Sequence, residues 1–302
     1  MQSFINSREF LADSSESRYH WLDRLFYSDR ASRIIVLLTV DKLKFDMSLW
    51  FKRLIAAVFL GGQVIVHILR GKFNYPNIVE QMALVGPESL LIALVTSTTI
   101  GMVFTIQVAR EFINFGAGQA VGGVLAIALT RELAPVLTAV VLAGRVGSAF
   151  AAEIGTMKVS EQIDALYILK TDPVDYLVIP RVIACCIMLP LLTILSIVTG
   201  TLGGLAVAIN IYGLSARIFL ESARNFLTGW DLCSAPIKAV CFGALIAIIG
   251  CSWGLTTTGG AKGVGQSTTT AVVTSLLAIF ISNFFLSWLM FQGTGNAVSG
   301  SF

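Results

Sequence analysis

Charge constrains this chain most, through where it is missing. Four long stretches carry no Asp, Glu, Lys or Arg: between Glu88 and Arg110, between Arg181 and Arg217, between Lys238 and Lys262, and beyond Lys262 as far as Phe302. A helix needs about 20 apolar residues to cross the hydrocarbon of a bilayer, and an ion held there costs several kcal/mol. Each stretch is therefore a candidate span. A fifth apolar run, 119–152, is less clean, because it contains Arg131, Glu132 and Arg145. With 55% hydrophobic residues, 13% charged residues and a mean hydropathy of +0.80, the chain is far more apolar than a soluble domain. The expected fold is an all-α integral membrane protein.

Other classes fall away on chemistry. A net charge of +3 without clusters of bases and aromatics excludes a nucleic-acid partner. Cys185, Cys186, Cys233, Cys241 and Cys251 lie in or beside apolar runs with no Cys-x-x-Cys spacing, and read as small core residues. Two histidines, His20 and His67, are too few and too far apart in sequence to suggest a metal site. The run Gly260-Ala261-Lys262-Gly263-Val264-Gly265-Gln266-Ser267 approaches a phosphate-binding loop, but Gln266 stands where the lysine is required. It reads as a flexible loop, so any ATP must be hydrolysed elsewhere. Gly-x-Ser-x-Gly is absent, and no catalytic residue is expected.

The distribution of bases sets a topology. Seven Lys/Arg precede residue 46 and four more are Lys52, Arg53, Arg70 and Lys72, so the positive-inside rule puts the N-terminus in the cytoplasm. Residues 1–46 are polar, of mixed charge, and without the apolar core of a signal or transit peptide; they read as an extension of unassigned role. Residues 47–70 are apolar with bases at both ends, which suits a helix lying in the headgroup layer better than a crossing. Spans are expected at about 88–110, 119–151, 177–209, 236–256 and 270–291. A cytoplasmic link at 153–176, an external polar loop at 210–231 and a tail at 293–302 complete the plan. Gly118/Gly122, Gly200/Gly204 and Gly250/Gly254 are spaced for close helix packing, and Pro180 and Pro190 are expected to kink the third span.

The link is the least ordinary segment. Val159, Ile163 and Leu166 recur at i, i+4 and i+7, predicting a short amphipathic helix with Glu161 and Asp164 on its polar side. Asp172 before Pro173 is a helix-start signal, because Asp caps free amides and Pro suits the first helical position. Taken alone, such a link could be a mere surface connector. The intramembrane charges likewise admit two readings, a structural ion pair or the lining of a passage.

The motifs in and around the link narrow the choice. Arg131-Glu132-Leu133-Ala134-Pro135, Ala143-Gly144-Arg145-Val146-Gly147, Ala152-Glu153-Ile154-Gly155-Thr156-Met157, Glu161-Gln162-Ile163, Asp172-Pro173 and Pro180-Arg181 occur in that order. Together they closely resemble the MlaE/YrbE family, the permeases of MCE-associated ABC lipid transporters, cyanobacterial and plastid-type members included. The resemblance covers about 47–291 and excludes the first 46 residues. It implies a permease domain at 47–292 that works as a homodimer, with a separate ATPase carrying ATP and Mg, an MCE-domain protein on the outer face, phospholipid as substrate, and no cofactor on this chain. It further implies that Glu153, Gly155, Lys158, Glu161, Gln162, Asp164, Leu166 and Asp172 form the ATPase-coupling element. Arg131, Glu132 and Lys238 would line or brace the lipid cavity. Asn283 stands where the family can carry an acid. The implied location is a bacterial inner membrane, or the inner envelope of a plastid. The alternatives are a pure anchor for the ATPase and MCE protein, or an integral membrane lipid enzyme.

Overall fold

The computed structural model of the chain describes residues 50–69 and 75–292. The polar extension at 1–46, the first residues of the expected interfacial helix, the turn at 70–74 and the tail at 293–302 lie outside the described residues. The chain divides into two units after Leu54, and every contact discussed below lies in the second, from Ile55 onward.

Every regular element among the described residues is helical. In chain order they are α1 (Trp50–Leu69), α2 (Tyr75–Val85), α3 (Pro87–Asn114), α4 (Gly118–Val159), α5 (Gln162–Ile168), α6 (Val174–Asn210), α7 (Ala216–Phe226), α8 (Gly229–Leu255) and α9 (Gly260–Phe291). Six segments are long and apolar enough to cross a bilayer: α1, the run Tyr75–Asn114, α4, α6, α8 and α9. Each of the five expected spans coincides with one of these helices. By length and composition α1 also meets the requirement, so nothing intrinsic to it restricts it to the headgroup layer.

The glycines explain how helices with no hydrophobic drive toward one another pack. Gly101 of α3 faces Gly200 of α6 so closely that a Cβ at Gly101 would overlap the Gly200 carbonyl oxygen. At Gly243 of α8 a Cβ would lie 2.7 Å from the carbonyl oxygen of Cys185 in α6. Gly250 and Gly254 seat α8 on Gly147 and Ile154 of α4. The three spaced glycine pairs thus pack within one chain, as small residues do between membrane helices. Buried hydroxyls return to their own helix, as in Thr105 to Gly101 O and Thr193 to Leu189 O, both 2.8 Å. Two of them bridge helices, Ser97 to Thr199 at 2.9 Å and Thr138 to Ser196 at 3.1 Å.

Three expectations are corrected. The amphipathic helix through Val159, Ile163 and Leu166 is not continuous: α4 runs on to Val159, Glu161 turns the chain at φ 61°, and only then does α5 begin. Ile163 is buried and Leu166 packs on the core, but Val159 is exposed on the other helix. The supposed flexible loop at 260–267 is the first two turns of α9; the chain turns into it through Gly259 and Gly260, at φ 90° and 67°, a left-handed conformation that glycine adopts at no steric cost. The external loop at 210–231 contains α7, whose Phe219 and Phe226 cover Gly122 and Gly123 of α4. Of the cysteines, Cys185 and Cys251 are buried as expected, whereas Cys233 is exposed.

Candidate functional site

Helix α4 carries the polar chemistry of the molecule. It widens to π-helix at Leu129–Leu133 and again at Ala143–Gly147, and α6 begins with a third such segment, Val174–Val178. Each holds charge: Arg131 and Glu132, Arg145, and Asp175. Two of the three lie just before a proline, Pro135 or Pro180, which removes an amide from the helical ladder. Such wide turns recur at functional sites, since they release carbonyls and re-aim side chains.

The first charged layer brings together all four residues expected to line a cavity. Lys238 Nζ, fully buried on α8, donates to Glu132 Oε1 at 3.0 Å, to Ser287 Oγ at 2.7 Å and to the Arg131 carbonyl at 2.7 Å. An ammonium has three protons, and all three are used. The Arg131 carbonyl is free because its usual donor, four residues on, is Pro135. Glu132 also accepts from Ser287 Oγ and Asn283 Nδ2, both at 2.7 Å. Asn283 therefore serves as a donor to Glu132, a role that an acid at this position could fill only when protonated. The Asn283 Oδ1 atom is buried without a hydrogen-bond partner.

Sequence reasoning missed Asp231. It is 1% exposed and takes Arg131 in a two-point pair, Nε to Oδ1 at 2.7 Å and Nη2 to Oδ2 at 3.2 Å. It also closes a capping box with Thr228 at the start of α8. The Thr-x-x-Asp spacing was a legible cap signal, but nothing in it pointed to Arg131. Phe291 lies 4.7 Å from the Arg131 guanidinium and 5.5 Å from Lys238 Nζ, covering both cations with its ring.

The second charged layer lies near the link. Arg145 donates to Glu88 Oε2 at 2.7 Å and Ser89 Oγ at 2.9 Å, tying α4 to α3. Arg181, 8% exposed at its side chain, donates to Glu153 Oε2 at 2.7 Å and to the Leu177 carbonyl at 2.8 Å, tying α6 to α4. Both arginines belong to the quoted motifs. Their spacing did not reveal their partners.

The expected coupling residues separate into two sets. Glu153 is engaged by Arg181, Gly155 is buried where a Cβ would meet Thr257 at 3.1 Å, and Leu166 is half-buried. Glu161, Gln162, Asp164 and Asp172 are exposed, and Lys158 reaches Asp164 at 3.1 Å. Asp172 accepts from the Val174 amide at 2.9 Å, and Pro173 is the first helical residue, so the start signal holds. The most prominent feature of the link was not anticipated. Tyr167, Ile168 and Leu169 stand 62%, 83% and 72% exposed between charged neighbours, held by a tight helix end in which Thr171 N bonds Leu166 O and Lys170 N bonds Tyr167 O.

Buried charge inside an apolar bundle, with an exposed polar hairpin at one end of its longest helix, defines a multi-pass membrane protein of the permease type. The model of the family Permease MlaE matches residues 78–289, and the chain belongs to that family; it is an ABC transporter permease subunit. It is 68% identical to a probable ABC transporter permease protein of Synechocystis sp., over 84% of this chain and 97% of that one. It is 51% identical to the protein TRIGALACTOSYLDIACYLGLYCEROL 1, chloroplastic, of Arabidopsis thaliana, over 84% of this chain and 73% of that one. A probable ABC transporter permease protein of Porphyra purpurea is 49% identical over 85% and 97%.

Proposed function

We propose that this chain is the membrane passage of a phospholipid transporter, working as a homodimer and driven by a separate ATPase that holds ATP and Mg. The observation that carries the reading is the link. Three large apolar side chains exposed on a hairpin that is otherwise charged form an anchor of the kind that fills a pocket on a partner. Glu161, Gln162 and Asp164 supply a polar rim around it. Helices α4 and α6 lead directly from that anchor to both charged layers, so a push on the hairpin is delivered to the helices bearing Arg131, Glu132, Arg145 and Arg181.

Lipid as the cargo is supported by the small set of polar groups held within an otherwise apolar helix bundle, and by the glycerolipid that the Arabidopsis relative carries in its name. An MCE-domain protein would hand the lipid over at the end opposite the link. A pure anchor for the two partners would have no use for a Lys238–Glu132–Arg131–Asp231 network that buries Lys238 and Asp231 and leaves Glu132 and Arg131 partly open. The base distribution supports an N-terminus and link on the ATPase side of a bacterial inner membrane or plastid inner envelope.

Replacing Ile168 with Asp tests the assignment. Co-purification of the ATPase should fall at least about tenfold, as for an interface hot spot, while yield and thermal stability stay unchanged, because residue 168 buries nothing in the free chain. Full recovery of the ATPase, together with undiminished lipid transfer between vesicles, would remove the link from the coupling role.

A further inference from the structure

Sequence reasoning set metal aside because the chain has only two histidines. The structure places one of them against two carboxylates. His67, near the end of α1, has Nδ1 2.7 Å from Asp175 Oδ1, and one ligand atom from each of His67, Asp172 and Asp175 lies within 4.8 Å of the other two. The His67 side chain is 18% exposed and that of Asp175 43%, so the ring is held by packing while the site remains open to ions.

The arrangement is built rather than incidental. Pro173 is buried between the two acids, Asp172 is oriented by the Val174 amide at 2.9 Å, and the π-helical turn Val174–Val178 directs Asp175 toward α1. An imidazole, even when protonated, can balance only one of two converging carboxylates, whereas a dication balances both. Metal–nitrogen and metal–oxygen distances of about 2.0–2.2 Å put neighbouring ligand atoms roughly 3 Å apart and opposite ones about 4.3 Å apart. The 2.7 Å contact between His67 and Asp175 and the 4.8 Å limit on all three atoms bracket that range.

We propose that His67, Asp172 and Asp175 bind a divalent cation of the borderline class that accepts nitrogen and oxygen ligands, Zn2+ or Mn2+. The ion would tie α1 to the point where the link enters α6, stiffening the base of the hairpin. Its binding needs neither partner nor substrate, so the inference stands or falls separately from the transport reading.

The test uses the full chain, purified without a histidine tag and stripped with chelator, then titrated with ZnCl2 by calorimetry. One ion per chain is expected. His67→Asn and Asp175→Asn should each weaken binding by at least about tenfold, and Asp172→Asn should weaken it too, while His20→Asn leaves it unchanged. X-ray absorption at the zinc edge should show a single imidazole with oxygen ligands in both the unaltered chain and His20→Asn, which needs no altered site residue to fold. Absence of stoichiometric binding, equal affinity in His67→Asn, or a zinc spectrum without imidazole scattering would overturn the site.

Discussion

Lys238 shows how a membrane interior holds a charge. Its side chain is fully buried, and its three donors meet a carboxylate, a hydroxyl and a carbonyl that a proline has left without its helical donor. Cutting it back leaves Glu132 with only its neutral donors, Ser287 and Asn283, and takes from that carbonyl the donor Lys238 supplied. Lys238→Met is therefore expected to cost about 3 kcal/mol, as for breaking one side of a buried pair, and to lower the unfolding midpoint in detergent by roughly 6–10 °C. A shift under 2 °C would show that water already satisfies the cluster. Glu132→Gln keeps the shape and can still accept from Lys238, yet it removes the negative charge. Assembly with the ATPase should persist while lipid transfer between vesicles falls several-fold; normal transfer would make the network purely structural.

At the scale of elements, packing depends on the absence of side chains. The α3–α6 contact allows nothing beyond hydrogen at Gly101, because the Gly200 carbonyl occupies the space. Gly101→Val must push two helices apart along their common seam, and overpacking of this kind costs about 1–3 kcal/mol or more. The expected outcome is a clear loss of folded yield and an unfolding midpoint several degrees lower. Gly144→Val, at a position with open space beside it, should leave both unchanged and serves as the control. The hairpin follows a different rule. Glu161 and Lys170 sit at φ 61° and 56°, left-handed positions at its two ends, and the turns they make bring Tyr167, Ile168 and Leu169 to the tip rather than into the core.

Across the whole molecule, α4 sets the dimensions. Its 42 residues amount to about 63 Å of helix, roughly twice the hydrocarbon thickness. Residues of both charged layers and the start of the link are thus mounted on one helix, longer than a bilayer crossing needs. The turns at either end of α4 must face opposite compartments. Single cysteines at Phe115 and Ile168, 82% and 83% exposed, placed in a background with Cys233 replaced, should label with a membrane-impermeant maleimide from opposite sides of sealed vesicles. Labelling of both from the same side would refute the topology.

Charge-free length by itself marked four of the expected spans, since the penalty for burying ions acts along the chain and needs no knowledge of neighbours, and the apolar run 119–152 marked the fifth despite its three charges. The Asp172-Pro173 helix start and the small-residue seams were legible for the same reason, being local in backbone geometry. The motif residues were legible one by one, Arg131, Glu132, Arg145, Glu153 and Arg181 among them, but their partners were not. The Arg131–Asp231 and Arg181–Glu153 pairs join residues 100 and 28 positions apart. Only helix packing brings such groups within hydrogen-bond reach. Tertiary structure likewise broke the helix expected at 159–166, because burying Ile163 against the core required a left-handed turn at Glu161 that periodicity does not encode. It also set His67 beside Asp172 and Asp175, a contact between side chains more than 100 residues apart that spacing along the chain could not announce.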